Sequence, residues 1–222
     1  MNKHLGLDTP SNENSATQHA YNALRDLILT GELAPGEKLK IERLREIVGV
    51  GASPIREALS LLTSDQLVIR QDQRGFRAAE TSRENFQEIL KLRCELEGMA
   101  LRQSIAHSND AWTEDLVLAH HRMTRAQDDP TKNFEQLHKE FHLALISNCQ
   151  SPLLLGFCSQ LYDLNIRYRY LAARAAGYEG RKIGDEHQQI LDATVSGDFD
   201  RANELLCSHY QTTGEFVLTF IT

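Results

Sequence analysis

The chain has 222 residues, 41% of them hydrophobic and 25% charged, with a formal net charge of −7. That length suits one large domain or two small ones, and the negative balance excludes a protein that coats nucleic acid over its whole surface. No apolar run approaches the roughly 18 residues of a membrane span, and the polar start MNKHLGLDTPSNENS lacks the apolar segment of a secretion signal, so a cytoplasmic protein with no membrane partner is expected.

Residues 1–15 have the composition of a loose arm. A helical period begins at Thr17 with Tyr21, Leu24, Leu27 and Ile28, and stops at Gly31. Pro35-Gly36 marks a turn. A second short helix carries Ile41, Leu44, Ile47 and Val48 on one face and ends at Gly49. Ser53-Pro54 reads as an N-cap followed by Pro at the first helical position, and the stripe Ile55, Ala58, Leu59, Leu62 continues that third helix. Two extended pieces around Gln71-Asp72-Gln73-Arg74-Gly75 predict a β-hairpin. Three helices and a hairpin outline a winged helix-turn-helix over residues 16–80.

Thr81-Ser82-Arg83-Glu84 is a capping-box pattern that opens a second domain, residues 81–222. Helices are expected at about 82–106, 111–128, 131–148, 152–176, 180–196 and 199–220, with Pro130 and Pro152 at helix starts. The fold class is therefore mainly α: a winged helix-turn-helix followed by an antiparallel helical bundle. Residues 1–80 carry 10 Lys/Arg against 11 Asp/Glu, whereas residues 81–222 carry 14 against 20, so any DNA contact falls on a local basic patch in the first third. The four cysteines form no C-x-x-C pair, which suits free thiols in a reducing compartment.

A recognition helix presents polar and cationic groups at its N-terminal end. Ser53 and Arg56 stand there, and Arg56 is a fork donor able to grip guanine or phosphate. The hairpin adds Arg70, Arg74 and Arg77, with Gly75 letting backbone approach phosphate, while Lys38 and Lys40 flank the second helix. The competing reading pairs Arg56 with Glu57 or Glu46.

The segment GELAPGEKLKIERLREIVGVGASPIREALSLLTSDQLVIRQDQRGFR, residues 31–77, resembles the N-terminal domain of GntR-family regulators through G-x-L-x-P-G-x-x-L, P-[IV]-R-E-A-L and R-G-[FY]. The resemblance implies a DNA-binding transcriptional regulator. Ala52 stands where the family commonly has a DNA-contacting arginine, and Gly51 where it has a capping serine, so no operator preference is carried over.

Four histidines of the helical domain recur on apolar faces. His138 and His142, four residues apart, edge the stripe Phe134, Leu137, Phe141, Leu145. His187 falls with Ile183, Ile190 and Leu191, and His209 with Leu205, Leu206 and Thr213. His120, between Leu116 and Met123, reads as a lone core residue. Four imidazoles converging from three helices suit a borderline divalent metal, zinc first, with nickel or cobalt as the other candidates. Arg93 lies in the middle of the stripe Phe86, Ile89, Leu96, Ala100, where it needs an anion. Glu97 one turn on is the bland partner, and a carboxylate ligand the functional one.

These words also resemble the FCD effector domain of the FadR-type subfamily, with a look closest to its CsiR-like group: Arg93…Glu97, His138-Lys-Glu-Phe-His142, Glu186-His187, His209 and Gly197-Asp198. The resemblance implies a divalent metal held by an aspartate and three histidines, with a small organic acid completing its shell beside the arginine. His138 replaces that aspartate, and Ser151 replaces a loop asparagine. Ser151, Arg167 and Arg169 join Arg93 as candidate effector-binding residues, the two later arginines being equally readable as a solvated or packing face.

The function expected is a repressor that binds a pseudo-palindromic DNA operator as a homodimer and senses a small organic acid, possibly a dicarboxylate, at a metal-containing pocket. The alternatives are a regulator whose helical domain only dimerises or senses a ligand without metal and, remotely, a metalloenzyme. The last is disfavoured because His138-Lys-Glu-Phe-His142 puts its carboxylate one residue later than the H-E-x-x-H of zinc proteases, about 100° round the helix.

Overall fold

A computed structural model describes residues 12–72, 74–127, 133–174 and 183–221. It divides into two compact units, Met1–Thr81 and Ser82–Thr222.

The first unit contains helices α1 (Asn12–Leu29), α2 (Ile41–Val48) and α3 (Ala52–Ser64) and strands β1 (Lys38–Leu39), β2 (Val68–Gln71) and β3 (Gly75–Ala78). α1 begins within the segment expected as an arm, and residues 1–11 lie outside the described residues. α1 and α3 close the core around Leu24, Ile28, Ile55, Leu59 and Leu62, all at or near full burial. α2 buries only Leu44 of its stripe and leaves Ile47 exposed, because Ile47 lies on the opposite side of Leu44 from Ile41 and Val48. Gly49 closes α2 in the left-handed region (φ 77°), its N–H bonding Arg45 O. The N-cap of α3 is Gly51, with no side-chain cap, so the expected Ser53 cap is corrected. Pro54 sits at the third helical position, still within the turn whose N–H groups have no helical partner. The expected hairpin is β2 with β3, and β1 adds to the other edge of β3, giving the antiparallel order β1-β3-β2. Gln73 of the hairpin loop is outside the described residues.

The second unit is α4 (Arg83–Ala106), α5 (Asp110–Gln127), α6 (Phe134–Ile146), α7 (Pro152–Ala173), α8 (Gly184–Val195) and α9 (Phe199–Leu218). Ser82, not Thr81, caps α4, its hydroxyl accepting from Asn85 N at 3.1 Å. Pro152 opens α7 behind the Ser151 cap, whereas Pro130 and the expected helix ends near 131, 176 and 180 lie outside the described residues. α4 is the central helix, packing on α6, α7 and α9, while α5 lies against α6 and α8. The core between them holds Leu101, Leu116, Phe141, Leu145, Ile190 and Leu206. His120 packs into it with its ring edge-on to Phe141, as expected of a core histidine. No helix among the described residues is long and apolar enough to cross a membrane.

Candidate metal centre and nucleic-acid interface

The four histidines meet. One nitrogen from each of His138, His142, His187 and His209 lies within 4.8 Å of all the others, and all four side chains are buried. His138 Nε2 is 3.1 Å from His142 Nε2 and 3.1 Å from His187 Nε2. Four nitrogens at about 2.0–2.1 Å from one ion would stand roughly 3–3.4 Å apart, so this spacing fits a shared cation. The positions follow from local structure. The i, i+4 spacing on α6 stacks His138 over His142, and α8 and α9, packed on each other, bring in His187 and His209.

The partners of the outer nitrogens set which way the rings are protonated. Arg93 donates to Glu97 from Nε (2.6 Å) and from one terminal nitrogen (3.3 Å). Tyr210 donates its hydroxyl to Glu97 Oε2 at 2.5 Å. The phenolic oxygen, its proton committed, accepts from His142 Nδ1 at 2.9 Å. His142 then carries its proton on Nδ1 and turns a lone pair on Nε2 inward. His209 Nδ1 likewise donates to Glu186 Oε2 at 2.8 Å, leaving its Nε2 unprotonated. Carboxylate-backed imidazoles of this kind are the usual support of metal-ligating histidines.

His138 differs. Its Nδ1 meets Tyr162 Oη at 2.7 Å and an Arg169 terminal nitrogen at 3.2 Å. A guanidinium only donates, so this contact requires a lone pair on Nδ1 and places the ring proton on Nε2. To serve as a ligand, His138 would carry its proton on Nδ1, where Tyr162 can accept it and Arg169 cannot. Arg169 would then be left to Glu135, which it already holds at 3.0 Å.

Burial, followed by the charges of neighbouring histidines and of Arg93 and Arg169, pushes the His138 and His142 imidazolium forms well below the ordinary range. His209 is lowered by burial despite the opposing Glu186 carboxylate. All three rings are neutral near pH 7, the state a metal needs. Burial opposes the charge of Arg93, but Glu97 reverses the balance and the guanidinium is held more firmly than usual. It also lies over the Tyr210 ring at 3.9 Å.

Beside the histidines is a cavity of about 330 Å³, measured as space between atoms including its open mouth. Arg93, Asn165, Arg169, Tyr162 and Thr213 line it together with His138, His142 and His209. Asn165 accepts from Arg93 at 3.0 Å. The bland expectation for Arg93 is met, since Glu97 is its counter-ion, yet the same side chain faces the cavity. Ser151 is not brought there. It caps α7, accepting from Leu154 N at 3.4 Å, about three turns before Tyr162. Arg167 is buried but lies about 200° round α7 from both Asn165 and Arg169, off the cavity wall. Tyr162, Asn165, Tyr210 and Glu186 complete the site. Of these, the sequence motifs singled out only Glu186, and only as the neighbour of His187. The i, i+3, i+7 spacing of Tyr162, Asn165 and Arg169 on one face of α7 was the available signal for two others.

In the first unit Lys40, Ser53, Arg56, Arg70, Arg74 and Gly75 are all exposed. Arg56 forms no ion pair among the described residues, contrary to the reading that paired it with Glu57 or Glu46. Glu57 instead accepts from Thr17 at 2.8 Å and from Ser53 at 3.4 Å. Gly75 has φ 88°, which a side chain rarely adopts, and a Cβ there would meet nothing. Arg77 is the exception in the hairpin. It donates to Gly36 O at 2.7 Å and Gln71 Oε1 at 3.2 Å, tying the sheet to the turn before β1.

A winged helix-turn-helix with an uncommitted arginine on α3, joined in one chain to a helical bundle, defines a DNA-binding transcriptional regulator. Residues 16–77 match the family of bacterial regulatory proteins called gntR, and residues 88–212 match the FCD domain. The HTH-type transcriptional regulator BphR of Paraburkholderia xenovorans is 35% identical, over 95% of this chain and 88% of its own length. The HTH-type transcriptional repressor GlaR of Escherichia coli is 30% identical, over 86% and 91%. Among solved structures, McbR/YncC of Escherichia coli superposes with a TM-score of 0.76 at 24% identity, covering 92% of this chain and 97% of the other. The chain belongs to the GntR family of transcriptional regulators, with an FCD domain following its DNA-binding domain. Its relatives are regulators and not enzymes.

Proposed function

We propose that this regulator is a repressor that binds its operator as a homodimer and senses a small organic acid at a metal centre held by His138, His142, His187 and His209. The observation that carries the reading is the set of partners held by the outer nitrogens of His142 and His209, from which their protonation follows. Two buried, neutral imidazoles, each backed by a carboxylate directly or through Tyr210, aim lone pairs at one point.

Four neutral ligands leave a divalent cation its full charge, and when bound it would draw an anion toward itself. The guanidiniums of Arg93 and Arg169 stand on the same cavity wall and suit a carboxylate. Two guanidiniums lining one cavity favour a small acid, with a dicarboxylate able to reach both. Zinc suits the all-nitrogen set best, nickel and cobalt being compatible. On the DNA side, Ser53, Arg56 and the free N–H groups opening α3 would enter the major groove. Lys40, Arg70, Arg74 and Gly75 would meet flanking phosphates. A dimer is supported by exposed apolar residues on two helices that pack together, Leu92 and Met99 on α4 with Leu153 and Phe157 on α7. A two-fold dimer matches a pseudo-palindromic operator. Coupling between the acid and DNA would be worth about 1–3 kcal/mol, or roughly 5–150-fold in affinity.

A second reading, an organic-acid sensor without metal, is favoured by one contact: the Arg169 bond to His138 Nδ1. One experiment separates them. Operator binding is titrated with a panel of dicarboxylates, using zinc-loaded and chelator-stripped protein. The metal reading expects a response only in the loaded protein. An equal response in both would leave the metal out.

A further inference from the structure

α4 and α9 approach closely, and glycine is used on both sides of the contact. A Cβ on Gly98 of α4 would lie 2.5 Å from Asn203 Oδ1, and a Cβ on Gly214 of α9 would lie 2.3 Å from Leu90 Cδ1. These two contacts, each made through a side chain, set the register of an antiparallel pair to within a turn, with 98 near 203 and 90 near 214. Cys94 stands one turn from both Leu90 and Gly98, on the same stripe of α4. Cys207 stands four residues after Asn203 and seven before Gly214, on the facing stripe of α9. The two cysteines are thus brought to face each other across the helix pair, near enough to interact, with Cys207 Sγ donating to Asn203 Oδ1 at 4.0 Å. Both are partly exposed, while Cys149 and Cys158 are buried. A disulfide requires Cα atoms about 4.4–6.8 Å apart, which neighbouring helices reach only where small residues let the backbones come close.

We propose that Cys94 and Cys207 form a redox-active pair that peroxides convert to a disulfide bridging α4 and α9. One thiolate attacks the O–O bond of hydrogen peroxide and becomes a sulfenic acid, releasing water. The second thiol then attacks that sulfur, the S–S bond forms and a second water leaves. Two thiols and one peroxide give one disulfide and two waters. A dithiol reductant reverses the change by exchange. The bridge would sit one turn from Glu97 and from Tyr210, clamping the two helices that support His142 through that pair.

This proposal does not depend on the metal reading, because its readouts are thiol counts and peptide masses. The full-length protein is treated with hydrogen peroxide, then alkylated and digested without reduction. The expected result is a loss of two of the four free thiols, a chain lighter by about 2 Da, and a Cys94–Cys207 cross-linked peptide removed by dithiothreitol. C94S should leave Cys207 as a sulfenic acid captured by dimedone, and C207S the reverse, with no bridge in either. C149S should form the bridge as the unaltered chain does. Four free thiols after treatment, a bridge between chains, or oxidation confined to Cys149 and Cys158 would overturn the proposal.

Discussion

At the scale of single residues, the centre is a matter of where protons sit. Glu97 is held by Arg93, orients Tyr210, and through it sets the tautomer of His142. Tyr210→Phe keeps the ring and its packing but removes the acceptor for His142 Nδ1, so zinc affinity should drop about 10–100-fold by competition with a chelator. Unchanged affinity would mean that the tautomer is set otherwise. His142→Ala should lower metal content and abolish the response to organic acids while leaving basal operator affinity unaltered, as read by elemental analysis and a DNA-binding assay. The histidines were legible because each fell on an apolar stripe where a polar ring needs a reason. Arg93 was legible for the same reason, with Glu97 already named as its partner. Tyr210 was not, because an aromatic on a buried face is indistinguishable from core until its hydroxyl is seen to bond. Ser151 was read as a pocket residue, whereas the structure shows it capping α7, since Ser before Pro carries a capping role as readily as a ligand role.

At the scale of elements, the helices follow from 3.6-residue periods and from caps, and their ends shift by a residue or more where caps compete. The shift of the α4 cap from Thr81 to Ser82 is one such case. β1 was invisible, since two residues carry no alternation and the strand exists only by pairing with β3. The close contact of α4 with α9 depends on pairs of positions far apart in the chain and could not be read from either alone. Gly214→Val would drive three extra carbons toward Leu90 and should destabilise the helical unit by roughly 1–3 kcal/mol in denaturant melts. On the DNA side, α3 presents an arginine with no internal partner. Arg56→Ala should remove specific operator binding with no change in melting temperature, since nothing in the fold rests on that side chain. Retained binding would place recognition on the hairpin.

At the scale of the whole molecule, the chain separates charge as it separates function. The acidic excess lies in the helical part, and the DNA-binding part is nearly neutral overall, with Arg56 on α3 and Arg70 and Arg74 on the hairpin among its exposed cations. Burial also makes stability depend on pH. In the unfolded chain the imidazoles titrate near 6.5, while in the folded chain His120, His138, His142 and His209 stay neutral to lower pH. The unfolded state therefore takes up more protons as pH falls below about 6.5, and stability declines with it. The metal-free protein should show a melting temperature that is nearly constant above about pH 7.5 and falls steadily below about 6.5. A melting temperature flat down to about pH 5 would contradict the buried neutral state of these rings.

The account rests most heavily on the claim that four imidazoles share one ion. Elemental analysis of protein purified without chelator, then reloaded with zinc and desalted, tests it directly. The account predicts about one divalent ion per chain, as for a tetrahedral nitrogen site, and only background in a His142→Ala/His209→Ala variant that still folds. No retained metal after reloading, or an equal amount in the double variant, would contradict it.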